Sequence, residues 1–443
     1  MTEYLVAIGV LTFAGWLLSQ RSDDPYYAVA MTLYGFLLGI AVAITISASA
    51  TIGDFSSPYL AGSDGEGYFI QAHILAQAGI LDYQELIRSN YLGYQILLAV
   101  LFKIFSPSLV VGLIANALMI LASIACVHRS TSLLTNSERA GLLAAIAFML
   151  TTSHVYQGLV LLKEPALLFA FGLMLLSIVK IHQDEHFGIR PIIYALIALA
   201  IIVTMRATLL VFLAMLLLIV GSKLLRRRAS LVFALIALAV IAAPFAAQFS
   251  IYTFNSEFLL GSVTENTVVS DRLSEGDIDV SGIAGQAGGF FLALPFYLKL
   301  PLFFVPTFVQ ALLPFDVWST QFLTDFGPVF FYRNLNILWL GIVLPWAIYA
   351  LFSIRRVQSP LVARLYVAGA AYFAFIAIIY GGLIPRYAST ALVLIYPAIG
   401  YWWDRRASDP AVRQSTAQFF LLYYVTALVA VIGYFALRFL RGG

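Results

Sequence analysis

Apolar stretches long enough to cross, or nearly cross, a bilayer recur along the whole chain. They run approximately over 4–19, 27–51, 108–127, 140–157, 162–181, 191–205, 207–221, 231–252, 333–353, 361–382, 387–403 and 416–438. Two further stretches, 91–106 and 290–313, are interrupted by lysine or proline and fit either a short span or a helix lying at the interface. Backbone in hydrocarbon must satisfy its own hydrogen bonds, which leaves helices or closed barrels. Barrels show alternating segments of about ten residues, and these runs are long and unbroken. The pattern predicts an all-α polytopic integral membrane protein with about 11–13 transmembrane helices, and 1–443 as a single transmembrane domain.

Composition agrees with that reading. Of 443 residues, 62% are hydrophobic and only 11% charged, against roughly 25% charged in a soluble domain. The net charge of +3 is spread over separate short loops, which gives no basis for binding nucleic acid. The single cysteine, Cys126, excludes an intrachain disulfide and reads as a packing residue. Met1-Thr2-Glu3-Tyr4 has no basic n-region, so the first apolar run is expected to be a retained helix.

Basic residues then orient the spans. Short basic segments contain Arg21, His128-Arg129 with Arg139, Lys180 with Arg190, Lys223 with Arg226 to Arg228, Arg355-Arg356, and Arg405-Arg406 with Arg413. All six can face the cytoplasm if 91–106 does not cross fully. The run 191–221 would then fold into a hairpin with Arg206 near its far tip. As one helix it would span about 46 Å against about 30 Å of hydrocarbon, so a long tilted helix is the alternative. This topology makes 52–107 a first extracytoplasmic loop region with juxtamembrane helices, and 253–332 a second large one. The turn from Gly381 to Arg386 lies on the same side.

Candidate chemistry gathers on that side. In Gly62-Ser63-Asp64-Gly65-Glu66-Gly67-Tyr68, the residues Asp64, Tyr68 and Ala72 are four apart and share a face if helical. Asp64 would stand at a helix start as a base, metal ligand or orienting acceptor, with Glu66 second to it. Ser63-x-x-Glu66 equally fits a capping box, and first-turn acids suit the helix dipole. Lys163-Glu164 interrupts an apolar run, where charge is costly and marks a cavity, a partner or a snorkelling lysine. Arg206 and Arg386 stand at outer ends of apolar runs, as interfacial anchors or as forks for phosphate oxygens. The collective pattern, an acid beside several cations on one membrane face, fits a glycosyl-phosphate donor. Asp64-x-Glu66 could hold a divalent ion such as Mg or Mn through oxygen ligands. Asn255 to Gly289, rich in Gly, Ser and acids, reads as a connector or a lid. No HExxH, CxxC or EF-hand spacing and no phosphate-binding glycine loop appears, and the five histidines do not cluster in sequence.

These residues resemble the GT-C superfamily of polytopic membrane glycosyltransferases, of the protein O-mannosyltransferase and aminoarabinose transferase types and the related bacterial envelope-polysaccharide enzymes. The likeness runs through Asp64-x-x-x-Tyr68-x-x-x-Ala72, then Tyr91-Leu92-Gly93-Tyr94-Gln95 leading to Phe105-Ser106-Pro107-Ser108. It continues with Lys163-Glu164, Pro314-Phe315-Asp316, and Arg386-Tyr387 ahead of Pro397. It implies a polyprenyl-phosphate-linked sugar donor, a glycan, lipid or protein acceptor, inversion at the anomeric carbon, and a site on the outer face of a bacterial inner membrane. Carried over, Asp64 and Glu66 take the catalytic or metal-binding role. Lys163, Arg206 and Arg386 meet the donor phosphate, and Tyr68, Glu164 and Tyr387 line the site. Many members have one helix before the acidic loop, whereas this chain has two apolar runs there. A lipid-linked oligosaccharide polymerase or ligase is the enzymatic alternative, and a transporter or lipid flippase the alternative of another class.

Overall fold

The computed structural model describes residues 2–20, 22–50, 64–78, 92–183, 189–206, 209, 216, 338–380 and 389–440. Its regular elements in these segments are all helical. They are α1 (Thr2–Ser19), α2 (Pro25–Ala50), α3 (Asp64–Ala78), α4 (Leu92–Phe105), α5 (Leu109–Thr135), α6 (Glu138–Met149), α7 (Thr152–Leu159), α8 (Glu164–Gln183) and α9 (Ile189–Met205). After a π-turn at Trp339–Val343 come α10 (Leu344–Ser353), a 3₁₀ turn at Ile354–Arg356 and α11 (Pro360–Tyr380). A second 3₁₀ turn at Ser389–Ala391 leads into α12 (Leu392–Ser408), and α13 is Pro410–Leu440.

Among the described residues, four helices are long and apolar enough to cross a membrane: α1, α2, α5 and α8. The bent pair α6–α7 makes a fifth if it is one span. The outward faces of α1, α2 and α13 are greasy in a way water does not tolerate. Leu5, Phe13 and Leu17 on α1, Val29 and Leu37 on α2, and Leu421, Leu428 and Ile432 on α13 are all exposed.

The α1–α2 hairpin is packed backbone to backbone. A Cβ at Gly35 would stand 2.3 Å from the Leu11 carbonyl oxygen, and one at Gly39 would stand 2.6 Å from the Ile8 Cα. Small residues at such contacts are how helices associate where lipid removes the hydrophobic drive. α5 is the hub: α1, α2, α6, α7, α8 and α12 all pack against it. Cys126 is buried at the α5–α8 contact, where it meets Gly172, a packing role.

The apolar stretch expected as one piece over 140–157 is broken. α6 ends at Met149, α7 starts at Thr152, and the two axes differ by 53°. The polar run Thr151-Thr152-Ser153 supplies the reason, since such side chains compete for backbone groups. Thr151 donates its hydroxyl back to the Ala147 carbonyl at 2.9 Å, and Thr151 N–H turns to Phe148 O at 3.0 Å. α5 and α13 each outrun their apolar stretch. α5 continues through His128 and Arg129 to Thr135, and α13 starts where Asp409 caps the N–H groups of Ala411 and Val412.

α5, α6 and α12 have their polar ends together. Ser22, before α2, and Ser132 donate to Glu138 at 3.1 and 3.3 Å, and Arg129 approaches the same carboxylate at 3.5 Å. Ser137 donates to Asp404 at 2.8 Å, and Arg139 lies 3.6 Å from it. Several short basic segments of the sequence thus meet at one end of the bundle. The residues 51–63, 79–91, 207–208, 210–215, 217–337 and 381–388, with the expected spans, loops and turn they contain, lie outside the described residues.

Candidate functional site

The other end is built on a second break in the chain, between α7 and α8. α7 closes with Val160 N–H bonding Tyr156 O and Leu162 N–H bonding Gln157 O. Between them Leu161 has φ 53° while completely buried. The left-handed region costs a non-glycine residue about 1 kcal/mol or more, so something must hold it. Two things do. Asn116 of α5 donates through Nδ2 to Gly158 O at 3.3 Å and to Leu162 O at 3.1 Å, straddling the turn. Gly112, one turn earlier, leaves the space that Leu161 fills, since a Cβ there would be 2.5 Å from Leu161 Cδ1.

This pinned turn delivers Lys163 and Glu164 into the interior, each only 2% exposed. Glu164 opens α8, where the helix dipole favours a carboxylate. Arg206, directly after α9 ends at Met205, reaches it: Arg206 Nη2 is 3.1 Å from Glu164 Oε1. Arg206 is therefore a buried ion-pair partner. The other Glu164 oxygen, Oε2, is buried with no hydrogen-bond partner among the described residues.

Lys163 turns to α3. Its ammonium lies 5.9 Å from the centroid of the Tyr68 ring. Tyr68 packs edge-on against Tyr94 of α4 with centroids 5.3 Å apart, and Tyr94 donates its hydroxyl to Asn116 Oδ1 at 2.9 Å. The contacts close a ring through α3, α4, α5 and the α7–α8 turn. Lys163 is covered by this ring and does not extend to the surface.

Asp64 is the first residue of α3, and Tyr68 lies one turn further on, about 6 Å along the axis. Tyr68, Ala72 and Leu75 form the buried stripe of α3 against α4, and Phe69 meets Phe102. Asp64 itself is exposed and Glu66 half-buried. Two apart on a helix, their side chains project to different sides. A single ion would therefore meet one of them. Among the described residues, no group of three or more His, Cys, Asp or Glu could hold a metal. Ser63, Arg386 and Tyr387 lie outside the described residues.

A buried polar chain lies beside the ring. Thr151 gives its proton to Ala147 O, so Tyr396 must donate to Thr151 at 2.8 Å. His154 Nε2, 2.8 Å from the Tyr396 hydroxyl, is then the donor to it, and Nδ1 is left buried without a partner among the described residues. Gln157 of α7 bonds Ser389, in the turn before α12, at 3.0 Å. Sequence reasoning did not single out Asn116, His154 or Tyr396 as site residues. The available signal was a lone Asn inside an otherwise apolar run.

Compared with models of known protein families and with curated proteins, the chain matches none.

Proposed function

We propose that this chain is a polytopic membrane glycosyltransferase, of the GT-C type and with about 11–13 transmembrane helices. In this reading it takes a sugar from a polyprenyl-phosphate carrier on the outer face of a bacterial inner membrane and hands it to a glycan, lipid or protein acceptor. The observation that carries this reading is the contact of Lys163 with Tyr68, on the helix that Asp64 opens. It gives a buried cation and an acidic helix start a common wall. In the proposed reaction Asp64 takes the acceptor's hydroxyl proton as the acceptor oxygen attacks the anomeric carbon. The bond from that carbon to the phosphate oxygen breaks, and the lipid phosphate leaves with the electron pair, stabilised by Lys163. Glu164 and Arg206 neutralise each other and hold the turn that aims Lys163. Arg386 is proposed to meet the same phosphate, and Tyr387 to line the site. A Mg or Mn ion, if bound, would sit on Asp64 or Glu66 and polarise phosphate oxygens.

The test offers the purified protein a labelled polyprenyl-phosphate sugar with candidate acceptors. Transfer by the parent and its loss in Asp64→Asn is the expected outcome; equal transfer by both removes Asp64 from the reaction. A second reading, a transporter or lipid flippase, is favoured by the broken α6–α7–α8 segment, because interrupted helices with buried charge mark such sites. Substrate flux into vesicles without any transfer would establish that reading instead.

A further inference from the structure

At the far end of α12, some 16 residues from Ser389 and so about 24 Å along the helix, the bundle contains a cavity of about 250 Å³. It lies between α10, α12 and α13 and is lined by Arg356, Arg405, Tyr349, Tyr401, Trp402 and Ser415, among others. Among the described residues, its two guanidinium groups have no carboxylate partner. Arg356 makes no hydrogen bond or ion pair among the described residues, and Arg405 bonds the neutral Gln358 amide and lies over the Tyr401 ring. Asp409, also in the wall, spends its Oδ1 on the first N–H groups of α13. Trp402, 3% exposed, has a buried indole N–H with no partner among the described residues. One arginine without a partner among the described residues and a second whose hydrogen bond goes to a neutral amide, both lining one small cavity, ask for an anion with several oxygens. The volume suits a phosphodiester headgroup.

The surroundings say where that anion comes from. Tyr349, in the cavity wall, packs on Phe419 at 5.6 Å, and Phe419 packs on Phe352 at 6.2 Å. Phe352 is 75% exposed, and Leu351 and Leu422 beside this strip are exposed as well. A continuous apolar track therefore leads out of the polar cavity, at the end where the basic turns gather. We infer that this cavity binds the headgroup of an anionic phospholipid, with the acyl chains lying along Phe352 and Leu422. Arg356 and Arg405 fork the phosphate. This site stands independently of any transfer chemistry.

The test uses the full chain in uncharged detergent, titrated with phosphatidylglycerol, phosphatidylcholine or inorganic phosphate, read by native mass spectrometry and thermal unfolding. Saturable binding of phosphatidylglycerol alone, with a raised unfolding midpoint, is expected. The variant R356Q/R405Q should bind it at least about tenfold more weakly, while R355Q, which removes one neighbouring charge outside the cavity, should bind normally. The single exposed change Arg356→Gln carries the test if the double variant does not fold. Equal binding by R356Q/R405Q, an equal loss in R355Q, or a full effect from inorganic phosphate would each overturn the assignment.

Discussion

The two ends of the bundle carry charge on opposite terms. At one end Glu138 and Asp404 meet serines and arginines at the surface; Arg129 and Glu138 keep 48% and 40% of their side chains exposed. At the other, Glu164 and Arg206 pair at 3.1 Å with 2% and 7% exposed, next to a lysine equally buried. Exposed pairs are worth little, because water solvates each partner anyway. Buried ones are a cost that persists only where several groups hold the geometry. The first end is therefore a solvated rim that orients the helices, and the second is where the fold concentrates unfavourable charge.

Mutations should separate the ends by magnitude. Arg206→Met leaves Glu164 buried and uncompensated, and a loss of about 3–5 kcal/mol of stability is expected in equilibrium unfolding. Pairing it with Glu164→Leu should return most of that loss. Asn116→Leu deprives Gly158 O and Leu162 O of their donor and releases the left-handed turn at Leu161. It should cost about 1–3 kcal/mol, with faster hydrogen exchange around 158–163. Tyr68→Leu removes the face on which Lys163 rests and should cost about 2 kcal/mol, whereas Tyr68→Phe keeps the ring and should be close to the parent. Smallest of all, Arg129→Gln at the exposed end should change stability by less than about 1 kcal/mol. If Arg129→Gln proved as damaging as Arg206→Met, the contrast between the ends would fail.

Legibility in the sequence followed the same division. Apolar run length alone located α1, α2 and α8 to within a few residues, because crossing hydrocarbon demands length and leaves little choice of pattern. It missed the 53° bend, since Thr and Ser also occur inside unbroken spans, bonded back to their own helix. The acid at the start of α3 and the lysine before α8 were both visible as polar interruptions. Their environment was not. Lys163 meets Tyr68 across 95 positions, and Arg206 meets Glu164 across 42, so only tertiary packing makes them neighbours. Asn116 was the weakest signal: a single amide whose importance depends on a strained turn that no local pattern announces.

We propose that Asp64 and Lys163 serve one reaction on one sugar phosphate. Transfer rates for the parent, Asp64→Asn, Lys163→Met and the double variant, measured with a labelled polyprenyl-phosphate sugar, test it most directly. Each single change should lower transfer on the order of a hundredfold or more. Groups acting in one step are not additive, so the double variant should fall little further than the worse single one. Parent-like transfer by either single variant, or losses that simply multiply, would contradict it.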